Sequence, residues 1–246
     1  MDGKLVVPTP DGDMGIHVVH PEGDGPFPVV LFFHHGPGLD EGSQRAMRSL
    51  ADAGYYVVSH DRYHRERPWY GLTPETEGNA DAVAAFRRVI LGTSETEVQV
   101  DVQAVVSYLE GDPAARTAAA MGCIGYCIGA RSVVCTMAAL GERFLAGVAL
   151  HPSFCTTDEP DSPHLRVPSI LGWLYVAFGA DDRAQPAADN EAFIAAVQSL
   201  PDGRGEAEVL DGADHGFAVP GRPHFHEAAA AHAHQRTLAL YDAKLR

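Results

Sequence analysis

The sequence is poor in cysteine and in basic residues, and it has no long hydrophobic run. Four cysteines occur among 246 residues and none forms a CxxC pair, which argues against a disulfide-stapled fold. Lys and Arg number 18 against 33 Asp and Glu, for a formal net charge of −15. Such a surface repels phosphate backbones, so we predict no nucleic-acid partner. No apolar run approaches the ~20 residues that span a bilayer, so we predict no membrane partner.

The amino-terminal residues MDGKLVVPTPDGD show neither the basic segment nor the apolar segment of a signal peptide. With unpaired cysteines, this predicts a cytoplasmic location, where a reducing environment leaves thiols free to react. Hydrophobic residues make up 46 % and charged residues 21 % of the chain, which is typical of a globular protein. Because no repeat or composition break is visible, we predict one domain over residues 1–246. We expect the protein to be a monomer or a homodimer.

Short apolar runs alternate with segments of helical periodicity. The segments that predict strands are residues 29–33, 55–59, 118–124, 147–151, 173–178 and 206–210, and the first two predict buried strands. The clearest helix follows the capping box Ser94-x-x-Glu97 and places Val98, Val102 and Val105 on one stripe. The alternation predicts an α/β fold with a mainly parallel central sheet and helices on both faces. In such sheets the chemistry lies at the carboxyl ends of the strands.

One cysteine lies where a strand is predicted to turn sharply into a helix. The segment Gly125-Tyr126-Cys127-Ile128-Gly129 has the G-x-S-x-G pattern of a nucleophile elbow, with cysteine in place of serine. The following helix would favour a Cys127 thiolate, and the N–H of Ile128 could face a developing oxyanion. Alone, the pattern also fits a buried structural cysteine beside two packing glycines. The apolar strand before it and the amphipathic segment after it favour the elbow.

An acid and a histidine follow later strands at the same predicted edge of the sheet. Asp182 comes after the strand at 173–178, and His215 comes after the strand at 206–210. The order nucleophile, acid, histidine is that of α/β-hydrolase triads. We therefore predict Cys127, Asp182 and His215 as catalytic residues. Position alone leaves the neighbouring Asp181 as an alternative acid, and acidic residues also commonly follow strands as turn or capping residues.

Other histidines raise the question of a metal site. They are His34, His35, His224, His226, His232 and His234. The last four form two His-x-His pairs, which lack the i, i+4 spacing that puts two ligands on one helix face, and no cysteine or acid pairs with them. We predict a solvated, alanine-rich helix at the carboxyl terminus and no metal site.

These motifs resemble those of the dienelactone hydrolase family of α/β-hydrolases, and the resemblance covers most of the chain. The residues that carry it are the elbow at 125–129, Gly179-x-x-Asp182-x-x-x-Pro186, His215-Gly216-Phe217-Ala218, Asp161-Ser162-Pro163-His164-Leu165 and Pro37-Gly38. The last two look like one bacterial branch of the family. The family spacing favours Asp182 over Asp181. The resemblance implies an α/β-hydrolase fold and a Cys-His-Asp triad, with no metal and no organic cofactor.

The resemblance also implies a reaction. Because the namesake activity is hydrolysis of an unsaturated lactone, a small ester or lactone is the expected substrate, cleaved through a thioester on Cys127. We expect the N–H groups of Ile128 and His35 to hold the oxyanion. His35 stands where the namesake enzymes carry a glutamate that holds the resting thiol, and Ala130 stands where a third glycine is common. A thioesterase, a peptidase and a non-catalytic relative that binds a small molecule or a partner protein stay open.

The substrate pocket is predicted from loop composition. Trp69 and Tyr70 lie in a long loop at 60–78, and a polar, proline-rich excursion covers 152–170. We expect these segments, together with His34, to wall the pocket, and the excursion could serve as a lid. Aromatic residues in a loop fit ordinary loop anchors equally well.

Overall fold

The six strand segments predicted from the sequence all form strands of one sheet. A computed structural model describes the backbone of residues 1–246 and every side chain except those of residues 74 and 75. The strands are β1 (Asp2–Thr9), β2 (Gly12–Val19), β3 (Phe27–Phe33), β4 (Tyr56–His60), β5 (Ala115–Arg116), β6 (Met121–Tyr126), β7 (Phe144–Leu150), β8 (Trp173–Gly179) and β9 (Gly205–Leu210). The helices are α1 (Glu41–Asp52), α2 (Pro74–Glu77), α3 (Ala80–Gly92), α4 (Glu95–Gly111), α5 (Gly129–Ala139), α6 (Pro163–Arg166), α7 (Ala187–Gln198) and α8 (Glu227–Leu245).

The strands form a mixed sheet whose central part is parallel. Their order is β1-β2-β4-β3-β6-β7-β8-β9, and the short β5 pairs with β3. The pairs β1–β2 and β2–β4 are antiparallel, and the pairs from β4 through β3 to β9 are parallel. The predicted fold class, a mainly parallel sheet in an α/β-hydrolase fold, is confirmed.

Helices cover both faces of the sheet, because its inner strands are apolar on both sides. On one face, Val98 of α4, Val133 of α5 and Phe193 of α7 join a single buried cluster. On the other face, Met47 of α1 and Tyr241 of α8 join a second cluster. The two clusters lie on opposite faces of the sheet.

The capping box predicted at the start of α4 is present. The N–H of Glu97 donates to Oγ of Ser94 at 3.2 Å, and the N–H of Ser94 donates to Oε2 of Glu97 at 2.7 Å. The valine stripe at Val98, Val102 and Val105 is buried. Strand β5 has only two residues, too few to show an alternating pattern in the sequence.

The parallel register brings the ends of several strands to one edge. Phe33 pairs with Gly125, Tyr126 with Leu150, and Gly179 with Leu210. The loops that begin at this edge carry the polar residues singled out in the sequence. Adjacent parallel strands lie about 4.8 Å apart, so side chains from successive loops can meet here.

The excursion at 152–170 packs against the body of the protein. It contains α6 and a 3₁₀ turn, Val167–Ser169. Cys155, Val167 and Ile170 lie in the same buried cluster as the side chains of α5. None of the described helices is both long and apolar enough to cross a bilayer.

Candidate active site

Cys127 occupies a strained turn between β6 and α5. Its φ is 54°, in the left-handed region that side chains rarely adopt. A Cβ at Gly125 would collide with the carbonyl group of Gly129, and a Cβ at Gly129 would collide with the carbonyl oxygen of Phe33. Only glycine fits at both positions, and the turn presents the sulfur at the edge of the sheet.

The three predicted catalytic residues meet at this edge. Sγ of Cys127 lies 3.1 Å from Nε2 of His215, and Nδ1 of His215 lies 2.8 Å from Oδ2 of Asp182. The other carboxylate oxygen of Asp182 accepts the N–H of Ala184 at 2.8 Å. Asp181 is exposed, and its own N–H donates to a backbone carbonyl. The carboxylate that faces the imidazole is therefore that of Asp182.

The charges in this group stabilise one another. Burial acts to raise the pKa of the Cys127 thiol, but the hydrogen bond and positive charge of His215 outweigh burial and bring that pKa below its ordinary value. Burial acts to lower the pKa of His215, but Asp182 and Cys127 raise it to about 10. Burial acts to raise the pKa of Asp182, and the hydrogen bond and charge of His215 bring it below its ordinary value. All three shifts favour a thiolate beside an imidazolium over the neutral pair.

Backbone N–H groups also approach the sulfur. The N–H of Gly36 hydrogen bonds to Cys127 and helps to lower the thiol pKa. Ile128, directly after Cys127, is the N-cap residue of α5, where backbone N–H groups are free to bind an anion. The sequence analysis expects the N–H of His35, beside that of Ile128, at the oxyanion, whereas the N–H that helps to lower the thiol pKa belongs to the next residue, Gly36.

The side chain of His35 is directed elsewhere. Its Nε2 lies 3.0 Å from Oδ2 of Asp40, the residue that caps α1 by accepting the N–H of Ser43. His35 is buried and lines the cavity at Cys127. The position at which the resemblance implies a thiol-holding glutamate therefore carries an imidazole beside a carboxylate.

A cavity of about 320 Å³ opens at Cys127. Its polar lining includes His35, His151, His215, Arg222 and His224. Arg222 lies 2.5 Å from a carboxylate oxygen of Glu77 and 3.5 Å from one of Asp40, so its charge is already balanced by two carboxylates.

The residues predicted to wall the pocket lie in a neighbouring cavity. His34, Trp69 and Tyr70 line a space of about 180 Å³ that does not include Cys127. The ring of Trp69 lies under the ammonium of Lys4, and that of Tyr70 packs edge-on against Phe86. The contacts of Trp69 and Tyr70 therefore fit the role of loop anchors better than the role of pocket walls beside the sulfur.

Two residues that the sequence analysis did not single out lie in the site. Oγ of Ser153 is 3.5 Å from Sγ of Cys127 and 3.4 Å from Nε2 of His215. The ring of His151 packs edge-on against that of His215, with ring centroids 5.1 Å apart. The one signal in the sequence is their position directly after β7, at the edge where ligands bind in parallel sheets.

The four histidines of the two His-x-His pairs have separate partners. His224 lies 2.9 Å from a carboxylate oxygen of Asp214, and His232 lies 2.8 Å from one of Glu208. His226 caps α8, and His234 lies 3.2 Å from Ser49. Among the side chains that the structure describes, no group of three or more His, Cys, Asp or Glu residues could hold a metal ion.

Comparison with known proteins gives matches that cover nearly the whole chain. The model of the dienelactone hydrolase family matches residues 14–245. The protein named "Putative carboxymethylenebutenolidase" from Synechocystis is 27 % identical over 252 residues, which cover 98 % of this chain and 96 % of that protein. The crystal structure of a "Putative Dienelactone Hydrolase" from Klebsiella pneumoniae has a TM-score of 0.81 at 22 % identity, covering 98 % of both chains. That of dienelactone hydrolase from Anabaena variabilis has a TM-score of 0.70 at 18 % identity, covering 100 % of this chain and 99 % of the other.

Proposed function

The chain belongs to the dienelactone hydrolase family, a family of hydrolases, and on that premise we propose that it cleaves a small ester or lactone through a thioester on Cys127. The observation that carries the proposal is the contact of 3.1 Å between Sγ of Cys127 and Nε2 of His215, which Asp182 supports from the far side of the ring. A nucleophile, a base and a residue that orients the base are the parts that acyl transfer requires. The cavity of about 320 Å³ at the sulfur suits a small molecule.

In the first half of the proposed reaction, the Cys127 thiolate attacks the carbonyl carbon and a C–S bond forms. The N–H groups of Gly36 and Ile128 hold the oxygen as it gains negative charge. When the tetrahedral intermediate collapses, the C–O bond breaks and the departing alkoxide takes the proton from Nε2 of His215. An ester loses its alcohol at this step, whereas a lactone ring opens and keeps its new hydroxyl on the acyl group.

In the second half, water replaces the alcohol. Neutral His215 takes a proton from the water as the oxygen attacks the thioester carbonyl. The same two N–H groups hold the second oxyanion, and collapse breaks the C–S bond. The acid leaves, and the thiolate and imidazolium are restored. Asp182 stabilises the imidazolium in both halves through its contact of 2.8 Å with Nδ1.

We also propose that the protein works in the cytoplasm. All four cysteines of the described chain are free thiols, and the proposed mechanism needs Cys127 reduced. A reducing compartment maintains that state.

The experiment that tests the function is hydrolysis of p-nitrophenyl acetate and a panel of small lactones. We would compare wild type with Cys127→Ala, Cys127→Ser and His215→Ala, using Cys135→Ala as the matched control, since Cys135 is a buried thiol on α5. The expected result is turnover by wild type and by the control, and loss of at least about 10³-fold in the Cys127 and His215 variants. Full activity of Cys127→Ala would contradict the proposed mechanism. No turnover by wild type, with Cys127 inert to iodoacetamide at neutral pH, would favour a non-catalytic binding protein.

A further inference from the structure

A hydroxyl group stands beside the proposed nucleophile and base. Oγ of Ser153 lies 3.5 Å from Sγ of Cys127 and 3.4 Å from Nε2 of His215, and those two atoms lie 3.1 Å apart. The three polar atoms thus form a small triangle in which each lies within hydrogen-bond distance of the other two. Ser153 is buried, so little bulk water competes for these contacts.

The triangle is chemically consistent in the charged state of the pair. Nε2–H of the His215 imidazolium can donate to both Sγ and Oγ, while the Ser153 O–H donates to Sγ. A thiolate is a much stronger acceptor than a thiol, and a hydrogen bond to a charged acceptor is stronger than a neutral one. In the neutral state, the Ser153 O–H and the Cys127 S–H would compete for the single lone pair on Nε2. The hydroxyl therefore favours the thiolate–imidazolium pair over the neutral pair.

The backbone around Ser153 is held in a strained conformation. His151 and Phe154, on either side of it, have positive φ values of 38° and 55°. The N–H of Ser153 donates to the carbonyl of Cys127 at 3.1 Å, which ties the loop to the elbow. The N–H of Phe154 donates to Gln185 at 3.3 Å. Strain of this kind persists where the surrounding structure fixes it, and it often marks functional positions.

We propose that Ser153 is a positioning residue that holds the Cys127 sulfur as a thiolate in the free enzyme. The inference rests on the proposed function, since a held thiolate matters for catalysis only if Cys127 is the nucleophile. His35 also lines this cavity, but its side chain is turned towards Asp40, with Nε2 3.0 Å from Oδ2.

Other groups also act on the charge of the sulfur. The titratable or charged side chains that line the cavity with Cys127 are His35, Glu77, His151, His215, Arg222 and His224. Tyr63 and Cys155 also lie close enough to interact electrostatically with Cys127. The charge of Arg222 is balanced by Glu77 and Asp40. Burial lowers the pKa of His151 and raises the pKa values of Tyr63 and Cys155. These three groups therefore stay neutral near pH 7, and they do not add a charge that would mask the effect of Ser153.

The test is the pH dependence of Cys127 alkylation by iodoacetamide, followed by mass spectrometry of the labelled peptide. We would compare wild type, Ser153→Ala and Ser153→Thr, with Ser162→Ala as the matched control. Ser162 is a buried serine of the same segment whose hydroxyl contacts Thr157 and His164. Loss of the hydroxyl in Ser153→Ala should raise the midpoint of alkylation by about one pH unit. Ser153→Thr and Ser162→Ala should keep the wild-type midpoint.

A purely structural role gives a different result. Alkylation of Ser153→Ala should return to the wild-type rate at high pH, because the thiolate then forms without help, whereas a distorted site would stay slow at every pH. An unchanged midpoint in Ser153→Ala, or an equal shift in Ser162→Ala, would overturn the inference. If circular dichroism shows Ser153→Ala to be unfolded, Ser153→Gly removes the same hydroxyl. Alkylation needs no substrate, so the two proposals can fail separately. If Ser153→Ala shifts the alkylation midpoint but wild type hydrolyses no ester, only the proposed function is contradicted.

Discussion

Nδ1 of His34 lies 2.7 Å from the carbonyl oxygen of His35, and both residues are buried. A carbonyl oxygen can only accept, so Nδ1 of His34 carries the proton. Burial lowers the pKa of His34 to about 3, which keeps its ring neutral. The same carbonyl accepts the N–H of Gly38 at 3.1 Å. The other end of this peptide unit is the N–H of Gly36, which faces the Cys127 sulfur.

His34→Ala should therefore lower kcat by about 10-fold to 10²-fold, because the peptide unit that presents the Gly36 N–H to the oxyanion loses a support. KM should change little, since His34 lines the neighbouring cavity and not the one at Cys127. The measurement is steady-state kinetics on p-nitrophenyl acetate. His232→Ala, at a half-exposed site on α8, is the control. A variant with wild-type kcat would show that the peptide is held without His34.

Asp182→Asn should lower kcat roughly 10²- to 10⁴-fold, as expected when the residue that orients a catalytic histidine loses its charge. The alkaline limit of activity should also move to lower pH, because Asp182 raises the pKa of His215. Asp181→Asn is the matched control: it removes the same charge one residue away, from an exposed side chain. Equal losses in both variants would contradict the assignment of Asp182.

The pH profile of kcat/KM should be a bell with a broad top. Activity should rise as pH increases through the thiol pKa, which lies below its ordinary value, because the thiolate forms there. It should fall as pH passes the His215 pKa of about 10, because the imidazolium that protonates the leaving alkoxide is lost. The apparent pKa values of the acidic and alkaline limbs of this profile describe the coupled pair of Cys127 and His215 and not either residue alone. An acidic limb at the pKa of an ordinary thiol, near pH 8.5, would contradict the ion pair.

Gly129→Ala should destabilise the fold by about 2 kcal/mol or more, because the new Cβ would collide with the carbonyl of Phe33 and push α5 away from β3. Activity should fall as well, since α5 positions the elbow. Gly111→Ala is the control at the end of α4, where none of the described atoms lies within 4 Å of an added Cβ. It should stabilise by up to about 1 kcal/mol. Urea denaturation measures the free energy of unfolding of both variants and of wild type. A Gly129→Ala midpoint equal to that of wild type would show that the elbow tolerates a side chain.

Much of the fold follows from local patterns in the sequence. The runs at β3, β6 and β8 are apolar without alternation, and such runs are typical of strands buried on both faces. The capping box at Ser94 fixes the start of α4 through contacts between residues three apart. Gly125 is required by a near neighbour, because its Cβ would collide with the carbonyl group of Gly129, four residues further along the chain. These features depend on near neighbours in the chain, so they can be predicted without a structure.

The contacts within the candidate site depend on distant parts of the chain. Cys127 and His215 are 88 residues apart, and Asp182 and His215 are 33 apart. The order of the strands predicts that they share an edge, but their catalytic roles stay predictions. Position alone left Asp181 and Asp182 as alternatives, and only the family spacing favoured Asp182. The turn after β8 separates them, exposing one carboxylate and burying the other against the imidazole.

The sequence by itself determined the fold class and the elbow, because hydrophobic period and the order of elements are properties of the chain, and with the family spacing it also selected the three candidate catalytic residues. Only the tertiary structure decided that Gly36 presents its N–H to the sulfur, that Ser153 lies beside it, and that Trp69 and Tyr70 lie in another cavity. The reason is physical. Loop residues carry no periodic signal, and their contacts are set by strand register and by backbone conformations such as the positive φ values around Ser153.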